Sequence, residues 1–162
     1  MSHAVYLGLG SNKDPDHHIQ KAVEALRETF GEVAVSPVYR SVSVGFDGDD
    51  FLNAVALVHT DLSVAEIKDC LTAIEDQHGR ERNKPKFSDR VLDIDLLLYS
   101  DWAGEFDGLR LPREEITQYA HVLKPLADIA PDLIHPGSES TYETLWDNFS
   151  GDRSLTPHRL KG

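Results

Sequence analysis

One cysteine, Cys70, is all the chain contains. No internal disulfide can form, and such sparing use predicts a reducing, cytoplasmic setting. Long apolar runs are also missing, and the opening MSHAVYLGLGSN has no basic stretch followed by a signal core, so no membrane association is expected. Basic residues are scarce: 16 Lys and Arg stand against 28 Asp and Glu, a formal net charge of -12. That balance argues against a general nucleic-acid binder, although locally concentrated cations can still hold a small polyanion. The eight histidines show no metal-ligand spacing, so zinc is not expected. Repeats, low-complexity tracts and linkers are absent. At 162 residues the chain is expected to form a single domain over 1–162.

What is present is an alternation of strand and helix signals. Ala4 to Leu9 reads as a strand ending in a Gly-Ser-Asn turn. DPDHHIQKAVEALRETFG reads as a helix with Pro15 in its first turn, Ile19, Ala22, Val23, Leu26 and Phe30 on one face, and Gly31 at its end. EVAVSPVYRS is a second strand, placed at or near an edge because Pro37 cannot donate to a ladder. VSVGFDGDD has a turn composition, and FLNAVALVHT is a third strand. LSVAEIKDCLTAIEDQHG is a second helix with Ser63 and Glu66 at capping-box spacing and Ile67, Cys70, Leu71 and Ile74 on one face. After the aspartate-bearing strand within RVLDIDLLLYS, the segment LPREEITQYAHVLKPLADIAPDL suggests a short helical region with proline breaks, and TYETLWDNF a late helix. The order β-α-β-β-α-β predicts a ferredoxin-like α/β (α+β) sandwich, an antiparallel sheet with helices packed on it.

In the aspartate strand, alternation puts Leu92, Ile94, Leu96 and Leu98 on one face and Asp93, Asp95, Leu97 and Tyr99 on the other. Adjacent carboxylates repel, so something cationic is expected over that face. The loop just before it carries Arg80, Arg82, Lys84, Lys86 and Arg90. A magnesium–polyphosphate between loop and carboxylates satisfies both, with phosphates completing the metal shell and arginines neutralising the remaining oxygens. A solvated basic segment simply paired with the aspartates is the plainer alternative. The loop from Arg80 to Arg90 has no apolar periodicity and is expected to be mobile until ligands order it. GLGSN lacks the lysine of a P-loop and the third glycine of a dinucleotide fingerprint, so its glycines are read as allowing close approach of backbone or ligand.

These residues resemble those of the hydroxymethyldihydropterin pyrophosphokinases of folate synthesis over nearly the whole chain. The resemblance rests on GLGSN, SVSVGFDGDDFLNAVA, IEDQHGRERNKPKFSDRVLDIDLLLY and VLKPLADIAPDL, most of all on Arg-x-x-Asp-Ile-Asp-Leu-Leu from Arg90 to Leu97. It implies transfer of the terminal pyrophosphoryl group of ATP to 6-hydroxymethyl-7,8-dihydropterin, releasing AMP, with two Mg²⁺ ions. By the same resemblance Asp93 and Asp95 hold the metals, and Asp95 also helps deprotonate the attacking hydroxyl. Arg80, Arg82 and Arg90 contact phosphates, Asn53 bonds the pterin amide edge and Phe51 stacks on one pterin face. Backbone around Ser41, Val42, Val44 and Gly45 reads the rest of the pterin. Glu75, Phe87, Leu96 and Arg113 fall at nucleotide positions. The chain departs from the family pattern at Phe87, Ser88, Asp89, Arg113, Glu114, Tyr119 and His121, the last standing for the second stacking aromatic. A divergent member that binds a pterin or nucleotide with little turnover is the alternative reading; an Asp-x-Asp sugar-nucleotide transferase fits less well, because no separate nucleotide-sugar domain is present.

Overall fold

The computed structural model describes residues 2–42, 50–78 and 91–160. β1 (His3–Ser11) leads into α1 (Pro15–Phe30). Pro15 takes the first helical turn, and Gly31, at φ 89°, closes the helix with its N–H on the Arg27 carbonyl. The expected second strand is split in two, β2 (Ala34–Val35) and β3 (Val38–Ser41). Pro37 interrupts the ladder, and Ser36 spans the gap: its N–H donates to the Val55 carbonyl and its hydroxyl accepts from the Val55 N–H. β4 (Phe51–Thr60), α2 (Val64–Gln77) and β5 (Asp93–Tyr99) complete the ferredoxin-like core. The Ser63–Glu66 capping box forms as the spacing predicts.

The sheet runs β5-β1-β4-β3-β8, with β2 also on β4 and every pairing antiparallel. Its outermost strand beside β3 is β8 (Thr156–His158), so the strand after Pro37 is one in from the edge, near it as expected. A three-residue strand containing Pro157 carries no alternation from which to predict it. A small hairpin, β6 (Gly104–Phe106) and β7 (Leu109–Leu111), turns at Asp107-Gly108. Beyond it the helical region breaks at Tyr119, which is extended, between α3 (Glu115–Gln118) and α4 (Ala120–Ile129). Pro125 lies inside α4 without ending it. α5 (Tyr142–Asp147) is the late helix.

One sheet face packs α1 and α2 through Val5, Leu7, Leu9, Ala54, Ala56, Ile94 and Leu96. On the other, Val55, Leu97 and Leu98 meet Ile116, Leu123, Leu126 and Tyr142 of α3, α4 and α5. Strict alternation in β5 fails at Leu97. The register with β1 shifts between Leu7↔Leu96 and Tyr6↔Leu98, leaving Leu97 as the extra residue of a bulge. Leu97 and Leu98 therefore share the α4 side, and Tyr99 joins the α1–α2 core, its hydroxyl donating to the Leu62 carbonyl at 2.7 Å.

Candidate active site

At one end of the α4 side of the sheet, two positions of β1 are glycine, and among the described residues they leave a bare strip of backbone there. Gly10 pairs with Asp93 on one flank and Asn53 on the other, and Asn53 pairs in turn with Tyr39. Cross-strand partners point to the same face. Asp93, Gly10, Asn53 and Tyr39 thus form one row across four strands. Gly8 pairs with Asp95 and Val55 in the next row, and Phe51 pairs with Ser41 in the row beyond Asn53. Strands lie about 4.8 Å apart, so Asp93 sits about 10 Å from Asn53 across a glycine floor, with Asp95 one row farther along. A Cβ on Gly10 would stand 3.6 Å from Asn53 Oδ1, and one on Gly8 would meet Leu97 Cδ1 at 3.4 Å.

Three contacts fix the floor. Buried Asn53 donates through Nδ2 to the Ser41 hydroxyl at 2.7 Å, which sets the direction of its amide. Buried Glu75 of α2 accepts the N–H of Ile94, the residue between the two aspartates, at 2.9 Å. β5 is an edge strand, and this carboxylate takes up one of its N–H groups. The fully buried Ser11 hydroxyl donates to the Val91 carbonyl, tying the end of β1 to the entry of β5. The metal-bearing candidates are less enclosed: Asp93 is half-buried and Asp95 exposed.

Residues 6–131 match the family described as 7,8-dihydro-6-hydroxymethylpterin-pyrophosphokinase (HPPK). The chain belongs to this family. A 2-amino-4-hydroxy-6-hydroxymethyldihydropteridine pyrophosphokinase of Pseudomonas aeruginosa is 39% identical over 150 residues, covering 90% of this chain and 91% of its own. The protein of the same name from Methylorubrum extorquens is 40% identical over 144 residues, covering 86% and 90%. Among solved structures, Plasmodium falciparum HPPK-DHPS with pterin and p-hydroxybenzoate superposes with a TM-score of 0.76 at 14% identity, which bears on the fold alone. That superposition covers 92% of this chain and 43% of the other. As a member of the HPPK family the chain is a pyrophosphoryl transferase of folate biosynthesis.

The positions that the HPPK resemblance singled out divide into three groups. Asp93, Asp95, Asn53, Phe51 and Ser41 come together on the bare face, and Val42 follows Ser41, largely exposed. Val44, Gly45, Arg80, Arg82, Phe87, Ser88, Asp89 and Arg90 lie outside the described residues, as does the whole loop expected to be mobile. The rest stand elsewhere. Leu96 points its side chain into the α1–α2 core, on the sheet face opposite the aspartates. Glu75 also approaches from the α2 side, where it holds the backbone of β5. Arg113 gives its N–H to the Leu97 carbonyl and its guanidinium to Glu115 at 2.6 Å, so its charge is already engaged. His121, at the start of α4, stacks on Tyr119 with ring centroids 5.2 Å apart, and burial lowers its pKa to about 4. It is neutral at ordinary pH.

His18 and His78, read from the sequence as helix surface and helix end, meet between α1 and α2 with their Nδ1 atoms 2.5 Å apart. Burial, chiefly, lowers the pKa of both. Among the described residues no group of three or more His, Cys, Asp or Glu is arranged to hold a metal. The sequence reading did not single out Tyr39, whose period-two spacing to Ser41 on an extended segment was the available signal. Nor did it find the Ser11 contact, which only the fold creates.

Proposed function

We propose that the bare face binds 6-hydroxymethyl-7,8-dihydropterin over β4 and β3 and the phosphates of ATP over β5. The carrying observation is the row Asp93–Gly10–Asn53, which sets a carboxylate and a fixed amide on one face either side of a glycine, with Asp95 in the next row beside Gly8. The Asn53 amide, oriented by Ser41, presents hydrogen-bonding groups to the amide-like edge of a pterin, and Phe51 offers its ring to the flat face. Asp93 and Asp95 are the groups that would hold two Mg²⁺. Two carboxylates on one strand suit a hard cation that keeps water and substrate phosphate oxygens in its shell. When bound, the metal supplies neutralisation of phosphate charge.

The hydroxymethyl oxygen attacks the β-phosphorus of ATP, the bond from that phosphorus to the bridging oxygen on the α-phosphate breaks, and AMP departs with that oxygen. In this reading Asp95, exposed beside Gly8, receives the hydroxyl proton. Arg80, Arg82 and Arg90 are assigned to the phosphate oxygens, since the segment carrying them runs directly into β5. In this reading residues 1–162 are one domain working as a monomer in the cytoplasm. A coupled assay for AMP, with ATP, magnesium and the hydroxymethyl pterin, tests it. AMP appearing only when the pterin is present supports the assignment; pterin binding without AMP would contradict it.

A further inference from the structure

Tyr39 is the fourth member of the aspartate–glycine–asparagine row, and it does more than fill space. Its hydroxyl donates to Asp128 Oδ2 of α4, and the other oxygen of that carboxylate accepts Lys124 Nζ at 2.9 Å. The strand neighbour of Asn53 is thereby tied to the helix that faces the sheet. Asp128 stands seven residues after His121, two helical turns of about 10 Å, so the two share one stripe of α4 with Lys124 between them. Fixing Asp128 against the sheet fixes the rotation of that stripe.

The tie is braced from outside. Lys124 Nζ also lies 5.5 Å from the ring centre of Trp146 on α5, and the Arg153 guanidinium lies 4.8 Å from the same ring. Arg153 donates to the carbonyls of Trp146, Asp147 and Phe149, closing the end of α5. Three residues later the chain enters β8, where Pro157 pairs with Tyr39 itself. The circuit from Tyr39 through Asp128, Lys124, Trp146 and Arg153 returns to its starting residue.

We propose that Tyr39, Asp128 and Lys124 form a positioning clamp that sets the gap between Asn53 on the sheet and the His121 end of α4, and so the fit of the pterin. This rests on the reading of the bare face as the pterin site. Tyr39, Asp128 and Lys124 are positioning residues: none needs to touch the substrate. A part-buried hydroxyl bonded to a carboxylate is a strong tie, and its loss leaves α4 free to turn. The tyrosine is correspondingly hard to ionise, because burial and the Asp128 contact both raise its pKa.

The test is calorimetric titration of the pterin and, separately, of a non-hydrolysable ATP analogue, on the unaltered chain, Tyr39→Phe, Asp128→Ala and Asp128→Asn. Tyr39→Phe and Asp128→Ala should each weaken pterin binding about tenfold while the nucleotide affinity stays within about twofold. Asp128→Asn, which retains an acceptor for the hydroxyl, should recover most of the loss. Combining Tyr39→Phe with Asp128→Ala should be no worse than either alone, since both break one tie. Unchanged pterin affinity in Tyr39→Phe, even with a lowered melting temperature, would make the contact purely structural and overturn the clamp. Equal loss of both ligands would also overturn it. Failure of the unaltered chain to bind the pterin would instead remove the reading of the site itself.

Discussion

At Glu75 a single carboxylate decides how the aspartate strand is presented. It is buried at 6% exposure and accepts the Ile94 N–H from the opposite side of the sheet to Asp93 and Asp95. Replacing it with alanine leaves that N–H without this acceptor and opens space beneath the strand. Glu75→Ala should cost about 1–3 kcal/mol in urea unfolding, with Glu75→Gln, which keeps an acceptor oxygen, costing less. Equal losses for the two variants would mean that the hydrogen bond is not what matters. His121 gives a pH signature. Between pH 6.5 and about 4 the unfolded chain binds a proton that folded His121 does not. Stability from this residue is therefore complete above pH 6.5 and declines as the pH falls toward 4. His18, His78 and His135 are shifted the same way, so His121→Phe should remove only part of the acid slope of the melting temperature. The same variant restores a full aromatic ring and should tighten pterin binding by about 0.5–1.5 kcal/mol, read by titration with an ATP analogue present. No change would mean that His121 does not face the pterin.

Among the elements, those with strong local signals were legible and those made by tertiary pairing were not. α2 announced itself through Ser63, Glu66 and the Ile67–Leu71–Ile74 stripe, and the capping box is present in full. Ser63→Ala should destabilise the protein by about 1 kcal/mol in a denaturant titration, with pterin affinity unaltered because the cap lies at the far end of the helix from Glu75. A loss of pterin affinity there would show that α2 couples to the site more tightly than its geometry implies. The bulge at Leu97 escaped period-two reading because alternation assumes one residue per step, and only the register with β1 reveals the extra one. β8 escaped it because Thr156–His158 is too short to show a pattern and is held by β3 together with the His158–Asp16 contact at 3.0 Å. Pro37 was read as a mark of a strand at or near the edge, whereas its consequence is also to split that strand into two short ones joined through Ser36.

For the molecule as a whole, the order of elements was enough to give a ferredoxin-like antiparallel sheet, and the structure supplies its strand order, β5-β1-β4-β3. The site was partly legible for a related reason. Asp93, Asp95 and Asn53 occupy alternate positions on strands, so their shared face follows once Gly10 pairs between them. Tyr39, Ser11 and Asp128 were not legible, since their roles arise from contacts between elements distant in sequence. The central claim is that the carboxylates beside Gly8 and Gly10 carry out pyrophosphoryl transfer to a pterin seated at Asn53. The most direct measurement is AMP release at saturating magnesium by the unaltered chain and by Asp93→Asn/Asp95→Asn, with pterin affinity checked in the same samples. The account predicts pterin-dependent AMP from the unaltered chain and a fall of about 10²-fold or more in the variant, with pterin still bound. AMP release at the unaltered rate from the variant would contradict it.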